Sequence, residues 1–272
     1  MIKVFADIYC HFNLSYNEIL SEIYFVLDIL FGLTKQDVLR GKTLSDKDFI
    51  KTKKIFQKRV ETGLPIQYIV GKTFFMNDVF YVNDNVLIPR DDTQILVNRA
   101  IKIIKNNKID KVLDVGTGSG IIAIELAKNT SSNIFASDIS DDAINIATKN
   151  ANLHNTNITF IKSDLFSDIG EKFDFIVSNP PYIPLKEKET IQNEVKFEPD
   201  NALYAKNNGL YFYEKIIEQS VRFLTPKGFL AFEIGINQAE IISKLLQKEF
   251  KNILIEEDVS GIERVISAQL KS

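Results

Sequence analysis

The tetrapeptide Asn179-Pro180-Pro181-Tyr182 follows an apolar run from Phe173 to Ser178 and brings together groups that can hold a planar nitrogen. Each proline restricts the residue before it to extended backbone, so Asn179 and Pro180 are both constrained. Prolines donate no backbone hydrogen bond, and their carbonyls stay available as acceptors. The Asn179 side-chain oxygen and the Pro180 carbonyl can therefore grip the two hydrogens of an NH2 group, while Tyr182 packs on its flat face and Pro181 stiffens the turn. Nitrogens of carboxamides and nucleobases are weak nucleophiles because their lone pair is delocalised. Two acceptors that favour pyramidal geometry free that pair by orientation and preorganised charge, with no strong base. Asn179, Pro180 and Tyr182 are accordingly the expected catalytic residues, and Pro181 joins them in the substrate grip.

A second cluster, Asp114-Val115-Gly116-Thr117-Gly118-Ser119-Gly120, lies where a buried strand runs into a helix. Open α/β sheets bind ligands at such places, and glycine lets the backbone approach a ligand closely. The dinucleotide pattern G-x-G-x-x-G is not met, because the third glycine arrives one residue early and Ile121 takes its place. That spacing favours an adenosyl group over a pyrophosphate. Asp114 is placed to attract a cationic methionine end, and Asp138, 24 residues on and followed by Ile139, to accept both ribose hydroxyls. Asp164 can meet the adenine amino group, with Leu165 against the ring. Three acids at successive strand ends suit a sulfonium, so S-adenosylmethionine is the expected cofactor, leaving as S-adenosylhomocysteine, with no metal. Taken singly, the glycines make only a tight turn and the double proline only ends a strand; their order along one α/β pattern joins them.

The elements that must position these residues read in three parts. Residues 1–64 are helical: Ser15 and Glu18 form a capping-box pattern before an apolar stripe that stops at Gly32, a short helix starts at Thr34, and a third runs from about Ser45 to Thr62-Gly63. Residues 65–90 read as a β-hairpin linker, Tyr68-Ile69-Val70 pairing with Val79-Phe80-Tyr81-Val82 across an Asn77-Asp78 turn. From residue 91 to 272, a helix at Thr93 to Lys105 precedes alternating strands and helices, with strands at Lys111–Val115, Asn133–Asp138, Ile158–Ser163, Phe173–Ser178, Phe229–Ile234, Ile253–Glu257 and Glu263–Ala268. Such alternation predicts an α/β domain with a mostly parallel sheet and helices on both faces, and with the S-adenosylmethionine loop and planar-nitrogen grip read above, the expectation is a Rossmann-like class I methyltransferase domain. Residues 184–208 are polar and aperiodic, long for a connection, which suggests a functional loop beside the site.

The totals narrow the partners. A net charge of −3 lacks the electrostatic footprint of nucleic-acid binding, so a protein substrate is easier to accommodate. Cys10 is the single cysteine, and His11 and His154 are the only histidines, so neither a disulfide framework nor a Cys/His metal site can be assembled. The apolar stretches are interrupted by charges, as at Asp28, and the N-terminus lacks a signal-peptide core. The expectation is a cytoplasmic, metal-free monomer without membrane or direct nucleic-acid contact.

With these residues in place the chain resembles the peptide chain release factor N(5)-glutamine methyltransferases over nearly its whole length. The resemblance also rests on Pro65-Ile66-Gln67-Tyr68-Ile69-Val70-Gly71, Val86-Leu87-Ile88-Pro89-Arg90, Phe197-Glu198-Pro199, Gly209-Leu210, Phe232-Glu233-Ile234-Gly235, and Asp258 with Gly261 and Arg264. It implies that the substrate is the glutamine of the Gly-Gly-Gln motif in class 1 release factors, that the product is N(5)-methylglutamine, and that the N-terminal bundle engages the release factor. One stretch departs: the family continues Ile-Pro-Arg with Pro-Glu-Thr-Glu, whereas this chain has Asp91-Asp92-Thr93-Gln94. Arg90 is a substrate-contact candidate whose plainer alternative is a salt bridge beside a helix. Two enzymatic rivals stay open, glutamine methylation of a ribosomal protein and methylation of adenine N6 or guanine N2; the net acidic charge argues against the latter, and the Lys51, Lys53, Lys54, Lys58 and Arg59 cluster tempers that argument, although a solvated helix face explains the cluster more simply. A noncatalytic cofactor-binding protein is the rival from another class.

Overall fold

The computed structural model describes residues 1–9 and 12–271. The expectations that concern Cys10 and His11 lie outside the described residues. Helices α1 (Ile2–Ile8), α2 (Tyr16–Phe31), α3 (Lys35–Leu39) and α4 (Asp46–Thr62) precede a one-turn α5 (Ile66–Val70). The α2 start is reciprocal: Glu18 N donates to Ser15 Oγ at 3.3 Å and Ser15 N donates to Glu18 Oε2 at 2.7 Å, satisfying backbone donors that the helix cannot. Gly32 then closes it in the left-handed region at φ +61°. Phe5, Ile23, Val26, Leu27 and Phe56 are wholly buried in one cluster, the apolar stripe of α2 meeting α1 and α4.

The stretch expected as the first hairpin strand is α5. Tyr68 and Ile69 donate their amides to the Pro65 carbonyl at 3.0 and 3.3 Å, and Gly71 ends the turn at φ +75°. Proline at a helix start and glycine at its end outweigh the β-propensity of Tyr68-Ile69-Val70, and Ile66, Ile69 and Val70 have helical spacing. The hairpin itself is β1 (Lys72–Phe75) and β2 (Asp78–Tyr81), with Phe75 opposite Asp78 and Met76-Asn77 as the two-residue turn, one position earlier than expected.

The remaining chain runs α6 (Thr93–Asn107), β3 (Lys111–Val115), α7 (Ile121–Asn129), β4 (Asn133–Asp138), α8 (Asp141–Leu153), β5 (Ile158–Lys162) and β6 (Phe173–Ser178). It continues through β7 (Ile183–Pro184), α9 (Asp200–Leu203), β8 (Tyr204–Ala205), α10 (Tyr211–Phe223), β9 (Leu224–Glu233), α11 (Ala239–Leu246), β10 (Phe250–Glu257) and β11 (Glu263–Leu270). The main sheet has the order β10-β11-β9-β6-β3-β4-β5, parallel from β9 to β5, with β11 and β10 antiparallel. Leu96 and Val97 of α6 and Ile122 and Leu126 of α7 cover one face, and Tyr213, Ile216, Ile242 and Leu246 of α10 and α11 the other. Strand order reverses between β3 and β6, which opens a crevice at their carboxyl ends. The polar connection after β6 carries 3-10 turns, α9 and the short β7-β8 pair. Among the described residues no helix is long and apolar enough to cross a membrane.

Candidate active site

A cavity of about 350 Å3 fills that crevice. Its wall includes Gly116, Thr117, Gly118 and Ser119 after β3, Asp138 and Ile139 after β4, Asp164 and Leu165 after β5, and Asn179, Pro180 and Pro181 after β6. Most of the expected cofactor and tetrapeptide residues, from four successive strand ends, thus meet around one space, whereas Asp114, Gly120 and Tyr182 do not line it. Gly116 and Gly118 take φ +72° and +55°, turning the chain so that the Gly118 amide donates to Asp138 Oδ2 at 2.9 Å. Gly120 lines no cavity; a Cβ there would come within 3.0 Å of the Ala147 Cβ, so this glycine seats α7 against α8. Asn150 of α8 supports the loop from behind, donating Nδ2 to the Ser119 carbonyl at 2.8 Å and to the Tyr81 carbonyl at 3.0 Å while its Oδ1 accepts from Tyr81 N at 2.7 Å.

Asp114 stands behind the cavity wall, wholly buried. Thr117 Oγ1 donates to its Oδ2 at 2.6 Å, and among the described residues its Oδ1 has no partner. Burial pushes this carboxyl up to about 7, against the Thr117 hydrogen bond that favours the ionised form. An orphaned buried oxygen beside the glycine loop fits a cationic group, and Asp138, open backbone and Leu165 fit an adenosyl group. The raised acid also shapes stability. Its contribution is present in full below the ordinary carboxylate value and is lost as pH rises through about 7. The loss amounts to roughly 4 kcal/mol. In urea titrations without cofactor, Asp114→Asn should therefore gain on the wild type as pH goes from 5 to 8; a gap that does not change with pH would contradict it.

Asn179 lies against α6 and β9. Its Nδ2 donates to Thr93 Oγ1 at 3.3 Å, and Thr93 Oγ1 donates to Glu233 Oε2 at 2.6 Å. Tyr182 OH donates to Glu233 Oε1 at 3.4 Å. Desolvation is the largest cause that raises Glu233 to about 7 and pushes the Tyr182 phenol above its ordinary value. Tyr182 belongs to the wall of an adjoining pocket of about 150 Å3, which shares Leu87, Arg90, Asn179, Pro180 and Ala202 with the larger cavity. Ile191 and Val195 of the long connection close this smaller pocket. Arg90 lines both spaces and forms an ion pair with the buried Glu198, whose Oε2 accepts from Ile88 N at 3.1 Å. The salt-bridge alternative for Arg90 is thus present, and Glu198 anchors the connection as well.

Gly209 fixes the outer end of the tetrapeptide. It sits at φ +87°, and a Cβ there would come within 2.1 Å of the Tyr182 carbonyl oxygen. That carbonyl also accepts from Gln238 Nε2 at 3.1 Å. Gly209→Ala should displace Tyr182 and lower kcat by about tenfold or more, since small misplacements of reacting groups are costly; unchanged turnover would show that the approach relaxes freely.

Sequence reasoning assigned no role to Glu233, although an acid inside the apolar run Phe229 to Ile234 is itself a signal of a buried polar network. Thr93 matches the threonine of the family's Pro-Glu-Thr-Glu stretch, but nothing in the sequence gives it a role. Leu87 and Pro89, which also line the larger cavity, stood only within the family-like stretch Val86 to Arg90, and Tyr211 and Phe212 carried no readable signal.

Residues 91–262 match the family model described as Methyltransferase small domain. The Release factor glutamine methyltransferase of Flavobacterium psychrophilum is 40% identical over 266 residues, covering 93% of each chain. That of Lactococcus lactis subsp. lactis is 43% identical over 78% of this chain and 80% of its own. Among solved structures, a ribosomal protein L11 methylase from Lactobacillus delbrueckii subsp. bulgaricus is similar at 26% identity and a TM-score of 0.51, over 67% of this chain and 81% of that one. A methyltransferase from Pyrococcus furiosus shares the fold at 14% identity and a TM-score of 0.53, over 84% of this chain and all of its own.

Proposed function

This chain belongs to the release factor glutamine methyltransferase family, and we propose that it transfers a methyl group from S-adenosylmethionine to the side-chain nitrogen of the Gly-Gly-Gln glutamine in class 1 release factors. The observation that carries the reading is the position of Asn179 and Pro180, which line both the 350 Å3 cavity and the 150 Å3 pocket and so stand between donor and acceptor. Asp138, Ile139, Asp164 and Leu165 hold the adenosyl group, and the backbone of residues 116–119 lies along the methionine end, with Asp114 behind it.

When bound, S-adenosylmethionine supplies an electrophilic methyl on a sulfonium and departs as S-adenosylhomocysteine. Asn179 Oδ1 and the Pro180 carbonyl accept the two amide hydrogens and draw the nitrogen toward pyramidal geometry, so its lone pair points at the methyl carbon. With the cofactor bound, the N–C bond would form as its C–S bond breaks, and the surplus proton would leave the nitrogen for solvent. Tyr182, Leu87, Ile191 and Val195 form the apolar throat that admits one side chain and excludes water. The N-terminal bundle, residues 1–64, engages the release factor beside that throat, and the enzyme acts as a cytoplasmic monomer.

The test is to incubate the purified protein with labelled S-adenosylmethionine and release factor, ribosomal protein or nucleic acid, and to map the methyl group by mass spectrometry. Label on the Gly-Gly-Gln glutamine, absent from a Gly-Gly-Ala factor, is expected; label on RNA, DNA or ribosomal protein alone would sink the proposal. Asp138→Ala should weaken cofactor binding by about 10–100-fold, the worth of hydrogen bonds to a charged group, while kcat at saturating cofactor falls far less. Isothermal titration checks the first half, and a fall in kcat alone would argue against the division of labour.

A further inference from the structure

The geometry points to Thr93 and Glu233 as the pair that makes this site choose an amide over a carboxylate, by setting which atom of the Asn179 carboxamide faces the acceptor. The inference rests on the proposed glutamine reaction and adds the origin of its selectivity. Thr93 opens α6 and is 1% exposed, Glu233 ends β9 and is 2% exposed, and Asn179 follows β6, so three separate elements converge on one buried chain of hydrogen bonds.

A threonine hydroxyl has one hydrogen. Thr93 spends it on Glu233 Oε2 at 2.6 Å, so toward Asn179 its oxygen can only accept. The carboxamide must then turn Nδ2 to Thr93, as it does at 3.3 Å, and Oδ1 is the atom left for a substrate. Tyr182 OH, on the other carboxylate oxygen at 3.4 Å, holds Glu233 from the acceptor side. Among the described residues Glu233 forms no ion pair, although a buried carboxylate without a cation is costly and an apolar residue at the end of β9 would relieve that cost. The direction it imposes on the Thr93 hydroxyl is what such a cost would secure. Glutamine presents two hydrogens to Asn179 Oδ1 and the Pro180 carbonyl; glutamate presents lone pairs to the same two acceptors and is rejected.

If the chain of donors is broken, the Asn179 amide can turn over, offer Nδ2, and tolerate a carboxylate. Glu233→Gln does this most directly. With Tyr182 donating to the new side-chain oxygen, the new NH2 faces Thr93 and reverses every bond down to Asn179. Thr93→Val removes the link, and Thr93→Ser restores it.

The experiment compares full-length release factor carrying Gly-Gly-Gln with the same factor carrying Gly-Gly-Glu, the first as substrate and the second as competitive inhibitor, with cofactor affinity measured separately. In Glu233→Gln and Thr93→Val the preference for glutamine over glutamate should fall by about tenfold or more, because a site built around buried polar groups discriminates through them. Cofactor affinity should hold, and Thr93→Ser should recover the preference that Thr93→Val loses. If both variants methylate more slowly yet keep the wild-type preference, Thr93 and Glu233 are only packing residues and the inference is overturned. Should Glu233→Gln not fold, the Thr93→Val and Thr93→Ser pair decides on the same readout. Failure of the wild type to methylate any glutamine would strike the proposed function itself, a result distinct from an unchanged preference.

Discussion

Asn179→Ala is expected to lower kcat by about 10²–10³-fold, the usual effect of removing one preorganised group aimed at the transition state. The change removes the side-chain acceptor and leaves the Pro180 carbonyl in place, so one amide hydrogen is still held and the nitrogen is no longer drawn out of plane. Cofactor affinity should stay within about threefold, less than one net hydrogen bond contributes, because Asp138, Asp164 and the glycine loop are untouched. Single-turnover rates with release factor, set beside titration of S-adenosylmethionine, measure the two quantities separately. A parallel collapse of cofactor binding would mean that Asn179 serves the donor side of the cavity.

Arg59 carries the second large effect, on stability. Its guanidinium is wholly buried, its Nε and Nη2 donate to Glu22 Oε1 at 3.0 and 2.8 Å, and its Nη1 donates to the Gly63 carbonyl at 2.9 Å. Nη2 also pairs with Glu194 of the long connection, and the Phe12 ring lies 4.6 Å from the guanidinium. The Glu22 side chain is 14% exposed and accepts from Tyr9 OH at 2.6 Å. Arg59→Met would leave Glu22 without its cation, a change that typically removes about 3–5 kcal/mol. Urea unfolding followed by a probe in the bundle should show the loss, and Arg59→Lys should recover only part of it because an ammonium cannot span the three acceptors. A loss below about 1 kcal/mol, the range of a surface pair, would show that the ion pair is dispensable. Since Val195 beside Glu194 closes the smaller pocket, KM for the release factor should rise more than kcat falls.

Much of this architecture is readable in one dimension because each signal is local. Ser15 with Glu18, Gly32 and Gly63 mark helix ends through backbone donors and left-handed turns within a few residues. The apolar runs into Asp114, Asp138 and Asn179 are strand ends wherever the sheet places them. The failure at Tyr68-Ile69-Val70 comes from weighing side-chain preference above the punctuation of Pro65 and Gly71. Glu233 and Arg59 escaped for another reason: their partners lie 140 and 37 residues away along the chain, so even where an apolar run marks a charge as buried, as at Glu233, what it is buried against is not local. The grouping of Lys51, Lys53, Lys54, Lys58 and Arg59 as one basic cluster illustrates this, since Arg59 faces inward and the four lysines outward.

The Asn150 side chain treats Tyr81 as a neighbouring strand would, receiving from its amide and giving to its carbonyl, and with the same nitrogen it holds the Ser119 carbonyl of the glycine loop. One residue of α8 is thus a splice between the hairpin and the glycine loop. The hairpin is therefore no free swivel: the side chain that completes its edge at Tyr81 also holds the loop that follows β3, and neither can shift without the other.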